Sequence, residues 1–191
     1  MIDKNLLEQL RKDYQANESQ RRQIISASNA ILFEAKKTIF ALQRDDFKTA
    51  AAKLEENEKN LKNLAGRFGQ ERLNKEGAYK AAVEEYLEGK TFYAAIKNKK
   101  IEAVPGIKLD YEGYLGGICD LIGELVRYAT NQAAKGKFAA VAKIKKDAED
   151  IMAQLMDFDM TGYLRTKYDQ ARGHLRKLEQ MAYEIKLRGK K

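Results

Sequence analysis

The sequence predicts an all-α fold, a single-domain bundle of about six to seven long helices. Only one proline, Pro105, occurs in 191 residues, so little interrupts a helix. Alanine, leucine, glutamate, lysine and arginine, which favour helices, are abundant. Apolar residues recur at steps of three and four, the period of one helix face. No linker divides the chain, so we expect one domain over 1–191.

The N-terminal half predicts three helices. The first is expected over about 5–43, where the following apolar residues recur at helical steps: Leu6, Leu10, Tyr14, Ile24, Ile25, Ile31, Leu32, Ala35, Ile39 and Leu42. Asp46 is expected to cap a second helix that runs to Phe68. A third helix is expected over about 75–98.

The C-terminal half predicts three more helices, after a break at 103–107 where Pro105 and Gly106 favour a turn. Asp110 is expected to cap the fourth helix, which ends near Gly136, and a fifth covers about 137–156. The last helix has a heptad seam, formed by Leu164, Tyr168, Ala171, Leu175, Leu178, Ala182 and Ile185. The seam predicts a partner helix, either inside the bundle or in a second subunit.

The composition excludes several kinds of site. Cys119 is the only cysteine and His174 the only histidine, so disulfide frameworks, Cys/His zinc sites and Cys–His or Ser–His catalytic pairs are not expected. No apolar run approaches the about 20 residues that cross a bilayer, and the N-terminus has no signal-peptide core. We therefore expect a soluble protein of the reducing cytoplasm, with no membrane partner.

The chain is strongly basic. With 36 Lys+Arg against 28 Asp+Glu, the net charge is +8 and the pI about 9.3. Such a balance favours a polyanionic partner such as nucleic acid. The candidates for phosphate contacts lie on the first helix and are Arg21, Arg22, Lys36 and Lys37. The alternative is that these lysines and arginines form an ordinary solvated stripe.

Glu85 and Glu88 are acidic residues on a helix face that should be packed. At about 100° per residue, the side chains within about 60° of Glu85 are those of Ala78, Ala82, Gly89, Phe92 and Ile96. An unpaired carboxylate on such a face is costly to desolvate. It should therefore bind a cation, have a raised pKa, or pair with a Lys or Arg of another helix.

Asp120 and Glu124 form a second acidic pair, roughly opposite the apolar stripe of the fourth helix. Four glycines share their side, Gly113, Gly116, Gly117 and Gly123. Each glycine costs a helix about 1 kcal/mol relative to alanine, which indicates close approach of another backbone or a ligand. An ordinary solvated acidic face would explain the acids but not the glycines.

If the two acidic faces meet, Glu85, Glu88, Asp120 and Glu124 form one cluster of oxygen ligands. Such a set suits a hard cation, Mg²⁺ or Mn²⁺, better than zinc. The chemistry that fits is phosphodiester hydrolysis, in which the metal activates water and stabilises the leaving oxygen. Because acidic pairs at these spacings are common on helices, the pattern by itself does not exclude a structural role.

Several stretches together resemble the translin family and, within it, its Trax-type subunits. They are KKTIFAL at 36–42, EYLE at 85–88 with Phe92 and Ile96-Lys97, YLGG at 114–117, DLIGEL at 120–125 and YEIKLRG at 183–189. The resemblance covers most of the chain in order. By motif match, Glu85, Glu88, Asp120 and Glu124 fall at the family's catalytic acidic positions. Arg21 and Arg22 are only near-matches to its basic residues.

The resemblance implies a helical subunit that assembles into a hollow, roughly octameric shell and binds single-stranded RNA or DNA. Trax-type members cleave RNA with a carboxylate-bound metal, whereas translin-type members lack the acidic set and mainly bind. Retention of all four acids therefore favours a metal-dependent endoribonuclease. Its shell would be a homo-oligomer or include a translin-type partner subunit. The alternatives are a non-catalytic single-strand-binding protein and a purely structural helical assembly protein.

Overall fold

Seven helices form the part of the chain that the computed structural model describes, residues 2–107 and 110–188, and this part has no strands. They are α1 Lys4–Gln43, α2 Phe47–Phe68, α3 Gln70–Leu73, α4 Gly77–Ile96, α5 Tyr111–Ala134, α6 Phe138–Leu155 and α7 Gly162–Arg188. The all-α prediction is confirmed. No helix in these ranges has the length and hydropathy of a membrane span.

The helix starts follow from local side-chain chemistry. Asp46 accepts a hydrogen bond from the Thr49 backbone N–H (3.1 Å), and Asp110 accepts one from that of Gly113 (2.9 Å). Both predicted caps are therefore confirmed. The short helix α3 was not predicted, because four residues are too few to show a period. It follows Gly69, whose φ of +76° ends α2.

Two apolar clusters make up the interior. In one, α1, α2 and α4 bury a set that includes Ile24, Leu61 and Tyr86; in the other, residues of α5, α6 and α7 such as Leu121 and Leu178 are buried. Helices α4 and α5 pack against each other where the clusters join. This contact places the acidic residues of the two helices at the junction.

The heptad seam of α7 packs inside the bundle. Leu164, Ala171 and Leu178 are buried within the cluster that α7 shares with α5 and α6, and Tyr168 and Leu175 are packed against it. The sequence allowed a partner helix either inside the bundle or in a second subunit. The structure shows the first, because the seam packs on helices of the same chain.

The first turns of α1 extend beyond the bundle. Its predicted apolar face is buried from Ile24 onwards, but Leu6, Leu10 and Tyr14 are exposed, with 53%, 53% and 67% of their surface accessible. Periodicity predicted the helix correctly but not which part of it is covered, because coverage depends on the lengths of the neighbouring helices.

Candidate functional site

The four predicted acids lie together at the junction of α4 and α5. Glu85 and Glu88 come from α4, Asp120 and Glu124 from α5, and all four side chains are partly buried. Glu88 is close enough to the other three for their charges to influence its ionisation. The structure thus brings both pairs to one place, at the contact between two packed helices.

Glu88 is the carboxyl group that this environment perturbs most. Burial, the largest cause, acts together with the negative charges of Glu85, Glu124 and Asp120 to raise its pKa to about 8, against the opposing charge of Lys167. Burial also raises the pKa of Glu85, although Lys36 opposes the shift. The cluster therefore holds more negative charge than its neighbours neutralise, a condition that a bound cation or proton relieves.

Asp120 has a cationic partner that the sequence pattern did not reveal. The Lys167 ammonium of α7 donates a hydrogen bond to a carboxylate oxygen of Asp120 at 2.5 Å. Pairing with a cation of another helix was the alternative considered for Glu85 and Glu88, whereas a solvated acidic face was the one considered for Asp120. The only sequence signal was a lysine adjacent to the seam residue Tyr168, on a helix expected to pack.

Glu124 is bound to the end of α1. The Gln43 side chain, buried to 3% exposure, donates to the Glu124 carboxylate at 2.6 Å and to its backbone carbonyl at 3.0 Å. Asn131 in turn donates to the Gln43 side-chain oxygen at 3.0 Å. A buried amide thus orients Glu124 and fastens α1 to α5. Sequence reasoning missed Gln43, which appeared only as the last residue of a helix.

The chemistry of these donors fits a hard cation, since four carboxylates supply oxygen ligands and excess negative charge. As the side chains lie, however, no three Asp, Glu, His or Cys residues within 2–107 and 110–188 are grouped so that they could hold a metal ion. Asp120 and Glu124 engage Lys167 and Gln43 instead. One oxygen of each of these two carboxylates is thus already hydrogen-bonded.

Three glycines of α5 face side chains of neighbouring helices, at distances where a Cβ would make ordinary van der Waals contact. A Cβ on Gly117 would lie 3.6 Å from Leu87 of α4, and one on Gly123 would lie 3.4 Å from the Nε2 atom of His174 on α7. Gly116 likewise adjoins Tyr163. The neighbours of these three glycines are protein side chains, and the approach is not closer than a Cβ would allow. His174 is half-buried there.

Of the four basic candidates, Lys36 is the one whose charge acts on the acids, because it opposes the pKa rise of Glu85. Lys37 is ion-paired with Glu34 at 2.7 Å. Arg21 lies near Glu76 (3.5 Å) and, like the exposed Arg22, is about 20 Å further along α1 than Lys36. The four residues therefore do not form one patch.

One cleft lies apart from the acidic cluster. Its volume is about 800 Å³, and it lies between α2, α4 and the segment after α4, with no member of the cluster in its wall. Glu58 in its wall is the partner of Lys62 and Lys90. Burial raises the pKa of Glu58, but hydrogen bonds from Lys62, Lys90 and Tyr86 outweigh it and lower the pKa to about 2.

A model of the translin family matches residues 19–189. The chain belongs to the translin family. The match covers most of the chain, including both acidic pairs, Gln43 and Lys167. Gly189, the last residue of the stretch that suggested this family, lies outside the described residues.

Two related sequences extend the family match. Translin of Gallus gallus is 27% identical over 110 residues, 54% of this chain and 48% of that protein, so the alignment spans about half the relative's length. An uncharacterised protein of Methanocaldococcus jannaschii is 30% identical over 179 residues, 86% of this chain and 76% of that protein. The archaeal match covers most of this translin-family chain.

Solved structures share the fold over nearly the whole chain. The crystal structure of apo-NeC3PO has a TM-score of 0.82 and 26% identity, and the alignment covers 96% of this chain and 97% of that one. AfC3PO has a TM-score of 0.84 and 22% identity, over 95% and 97% of the two chains. AfC3PO has also been solved in complex with duplex RNA, with a TM-score of 0.83, 22% identity and coverage of 95% and 96%.

Proposed function

We propose that this translin-family chain is a Trax-type endoribonuclease that depends on Mg²⁺ or Mn²⁺ and cleaves single-stranded RNA. The observation that carries the proposal is the cluster of four carboxylates at the junction of α4 and α5, whose combined charge and burial raise the pKa of Glu88 to about 8. A fold has no need of such a cluster for stability, because like charges in a partly buried place oppose folding. Perturbed acids of this kind are typical of functional sites.

Each acid has a role in the proposed reaction. Glu85, Glu88 and Asp120 would hold the metal, and Glu124 would ligate it or accept a proton from the attacking water. The metal would polarise the phosphoryl oxygen and lower the pKa of water. Gln43 keeps the Glu124 carboxylate oriented from a buried position. Lys167 neutralises Asp120 in this structure, and the exposed Lys36 would attract the phosphate.

RNA is the proposed substrate because of the basic charge of the chain, +8, and because AfC3PO, which shares the fold, has been solved with duplex RNA. We propose single-stranded rather than duplex RNA, since the bases and backbone of a single strand are free to follow a helix surface. Binding should weaken steeply with salt, as phosphate contacts require.

We also propose that the chain self-associates into a hollow shell. The supporting observation is the exposed apolar side of α1 outside the bundle, which includes Leu6, Leu10 and Tyr14. Exposed apolar patches of this kind are typical of subunit interfaces. Leu6→Glu combined with Leu10→Glu should reduce the mass measured by multi-angle light scattering. An unchanged mass would exclude this face as the interface.

The nuclease proposal is tested with a 5′-labelled single-stranded RNA incubated with Mg²⁺, Mn²⁺ or EDTA. Wild-type protein should cleave only with metal, and Asp120→Asn and Glu88→Gln should not cleave. The variants should bind RNA as tightly as wild type or more tightly, since they remove negative charge. Asp150→Asn, on an exposed part of α6, is the matched control and should cleave normally.

Three other outcomes would each contradict the nuclease proposal. RNA that is bound but stays intact with every metal would indicate a non-catalytic binding protein. Loss of cleavage and binding together in Asp120→Asn, with wild-type stability, would mean that Asp120 holds the binding surface rather than the metal. No binding of any oligonucleotide at low salt would favour a structural assembly protein.

A further inference from the structure

Two exposed phenylalanines on α1 are spaced for one face of the helix. Phe33 and Phe40 are 59% and 54% exposed, whereas Ile31, Ala35 and Ile39 of the same segment are buried. Lys37 and Arg44 complete a stripe with steps of four, three and four residues. Folding does not account for this stripe, because it exposes large aromatic side chains opposite the packed face.

A cation lies over each ring. The Lys37 Nζ atom is 4.2 Å from the centroid of Phe33, and the Arg44 guanidinium carbon is 5.3 Å from that of Phe40. Arg44 pairs with no carboxylate in the described part of the chain. Glu34 is ion-paired with both Lys37 and Lys53, and its single negative charge neutralises only one of these two positive charges. The stripe is therefore both aromatic and positively charged.

The stripe lies beside the acidic cluster. On the helical wheel, Lys36 and Gln43 fall about 60° to 80° to one side of Phe33. Gln43 is bonded to Glu124 at 2.6 Å, and the charge of Lys36 acts on Glu85. Anything bound along the stripe would therefore border the carboxylates over the same turns of α1.

We propose that Phe33 and Phe40 each stack a base of a single-stranded nucleic acid, while Lys37 and Arg44 contact its phosphates. Aromatic side chains interleaved with cations are the chemistry that binds single strands without sequence preference. The inference rests on the proposed RNA function and extends it, because it names the surface that leads the strand to the acids. A protein partner fits less well, because the positive charge that Lys37 and Arg44 give the stripe favours a polyanion.

The spacing of the two phenylalanine rings also favours a single strand over a duplex. Seven helical residues separate the two phenylalanines by about 10 Å along α1, whereas bases in a regular stack are about 3.4 Å apart. The two rings therefore engage bases that are separated along the strand and turned towards the protein. A duplex, whose bases are covered on both faces by their neighbours, cannot present them in this way.

The test is fluorescence anisotropy with labelled oligo(U) of twelve nucleotides in EDTA, where no cleavage complicates binding. Phe33→Leu and Phe40→Leu should each weaken binding about tenfold, and Phe33→Tyr should bind like wild type. Lys37→Gln and Arg44→Gln should each lower the salt slope by about 0.7. Phe138→Leu replaces a ring that is 52% exposed on α6, and this matched control should bind like wild type.

The readout separates this inference from the RNA proposal. If wild type binds oligo(U) but both leucine variants bind equally well, the stripe is not a base-stacking surface. If those variants instead lower the mass seen by light scattering and leave binding intact, the stripe is a protein interface, and the inference is overturned. If wild type fails to bind any RNA, the proposed function itself fails.

Discussion

Lys167 and Asp120, 47 residues apart in the chain, form a hydrogen-bonded ion pair of 2.5 Å between α7 and α5. Within residues 2–107 and 110–188, Lys167 is the one cation hydrogen-bonded to the four-acid cluster, and Arg127 lies 3.6 Å from a carboxylate oxygen of Glu124. The Lys167 ammonium group is bonded to one of the two Asp120 carboxylate oxygens and places a positive charge beside the cluster.

In Lys167→Met, the stability of the protein should depend more strongly on bound metal than in wild type. Without its ammonium, Asp120 adds uncompensated charge beside Glu88, and we expect the metal-free protein to lose about 2 kcal/mol of stability. Added Mn²⁺ should then raise the melting temperature more than in wild type, because no lysine competes for Asp120. Thermal unfolding with and without Mn²⁺ measures both effects.

The matched control for this lysine is Lys145→Met, which removes a lysine paired with Glu149 within α6. It should leave the response to Mn²⁺ unchanged. A Mn²⁺ response in Lys167→Met no larger than that of wild type would contradict the idea that lysine and metal compete for the same carboxylate.

Gln43→Leu should loosen the attachment of α1 to α5. The substitution leaves the Glu124 carboxylate and the Asn131 amide without their buried partner, so we expect a loss of about 2 kcal/mol in the free energy of unfolding. Urea denaturation measures it. Gln23→Leu, on an exposed turn of the same helix, is the control and should cost little. Equal losses in the two variants would show that the Gln43 network adds nothing.

Glu88→Gln should stabilise the metal-free protein. Because the folded pKa of about 8 lies above the ordinary value of 4.5, the folded state binds more protons than the unfolded state between these values. Wild-type stability therefore falls as pH rises from 4.5 to 8. The variant should lack this fall and be more stable by on the order of 2 kcal/mol at pH 8.

Denaturant melts of Glu88→Gln and wild type at pH 5, 6.5 and 8 in EDTA test this expectation. Glu56→Gln, on the exposed side of α2, serves as the control for removing one negative charge. A stability difference that stays constant with pH would mean that Glu88 is not the group that titrates.

Asp45→Asn should reveal that Asp45 makes the stability of the protein depend on pH in the opposite sense to Glu88. Burial raises the pKa of Asp45, but hydrogen bonds from Lys135, Tyr128 and Gln132 outweigh it and lower the pKa from 3.8 to about 2. The stabilisation is therefore present above pH 3.8 and disappears as pH falls towards 2. Asparagine tolerates the φ of +64° at this position.

We expect Asp45→Asn to be about 2 kcal/mol less stable than wild type at pH 7, from the loss of a charged hydrogen-bond acceptor. The difference should shrink below pH 3.8. Chemical denaturation between pH 2.5 and 7 checks both statements, and a difference that persists undiminished at pH 2.5 would contradict the assigned partners.

The local sequence determined most of the secondary structure. Helix periodicity predicted the extent of α1, Asp46 and Asp110 predicted two helix starts, and the shared wheel face placed Glu85 with Glu88. These features depend on residues within a turn or two of one another, so a single sequence contains them. The exposed apolar turns at the start of α1 were not foreseen, because periodicity does not say where a neighbour ends.

Only the tertiary structure decided what surrounds the acids. That the pairs meet depends on α4 packing against α5, and the partners of Asp120 and Glu124 come from 47 and 81 residues away. The α5 glycines predicted an unusually close neighbour, whereas in the structure Leu87 and His174 lie at distances that a Cβ would also accept. Helical spacing specifies which side chains share a face, whereas the packing of the whole chain specifies what that face meets.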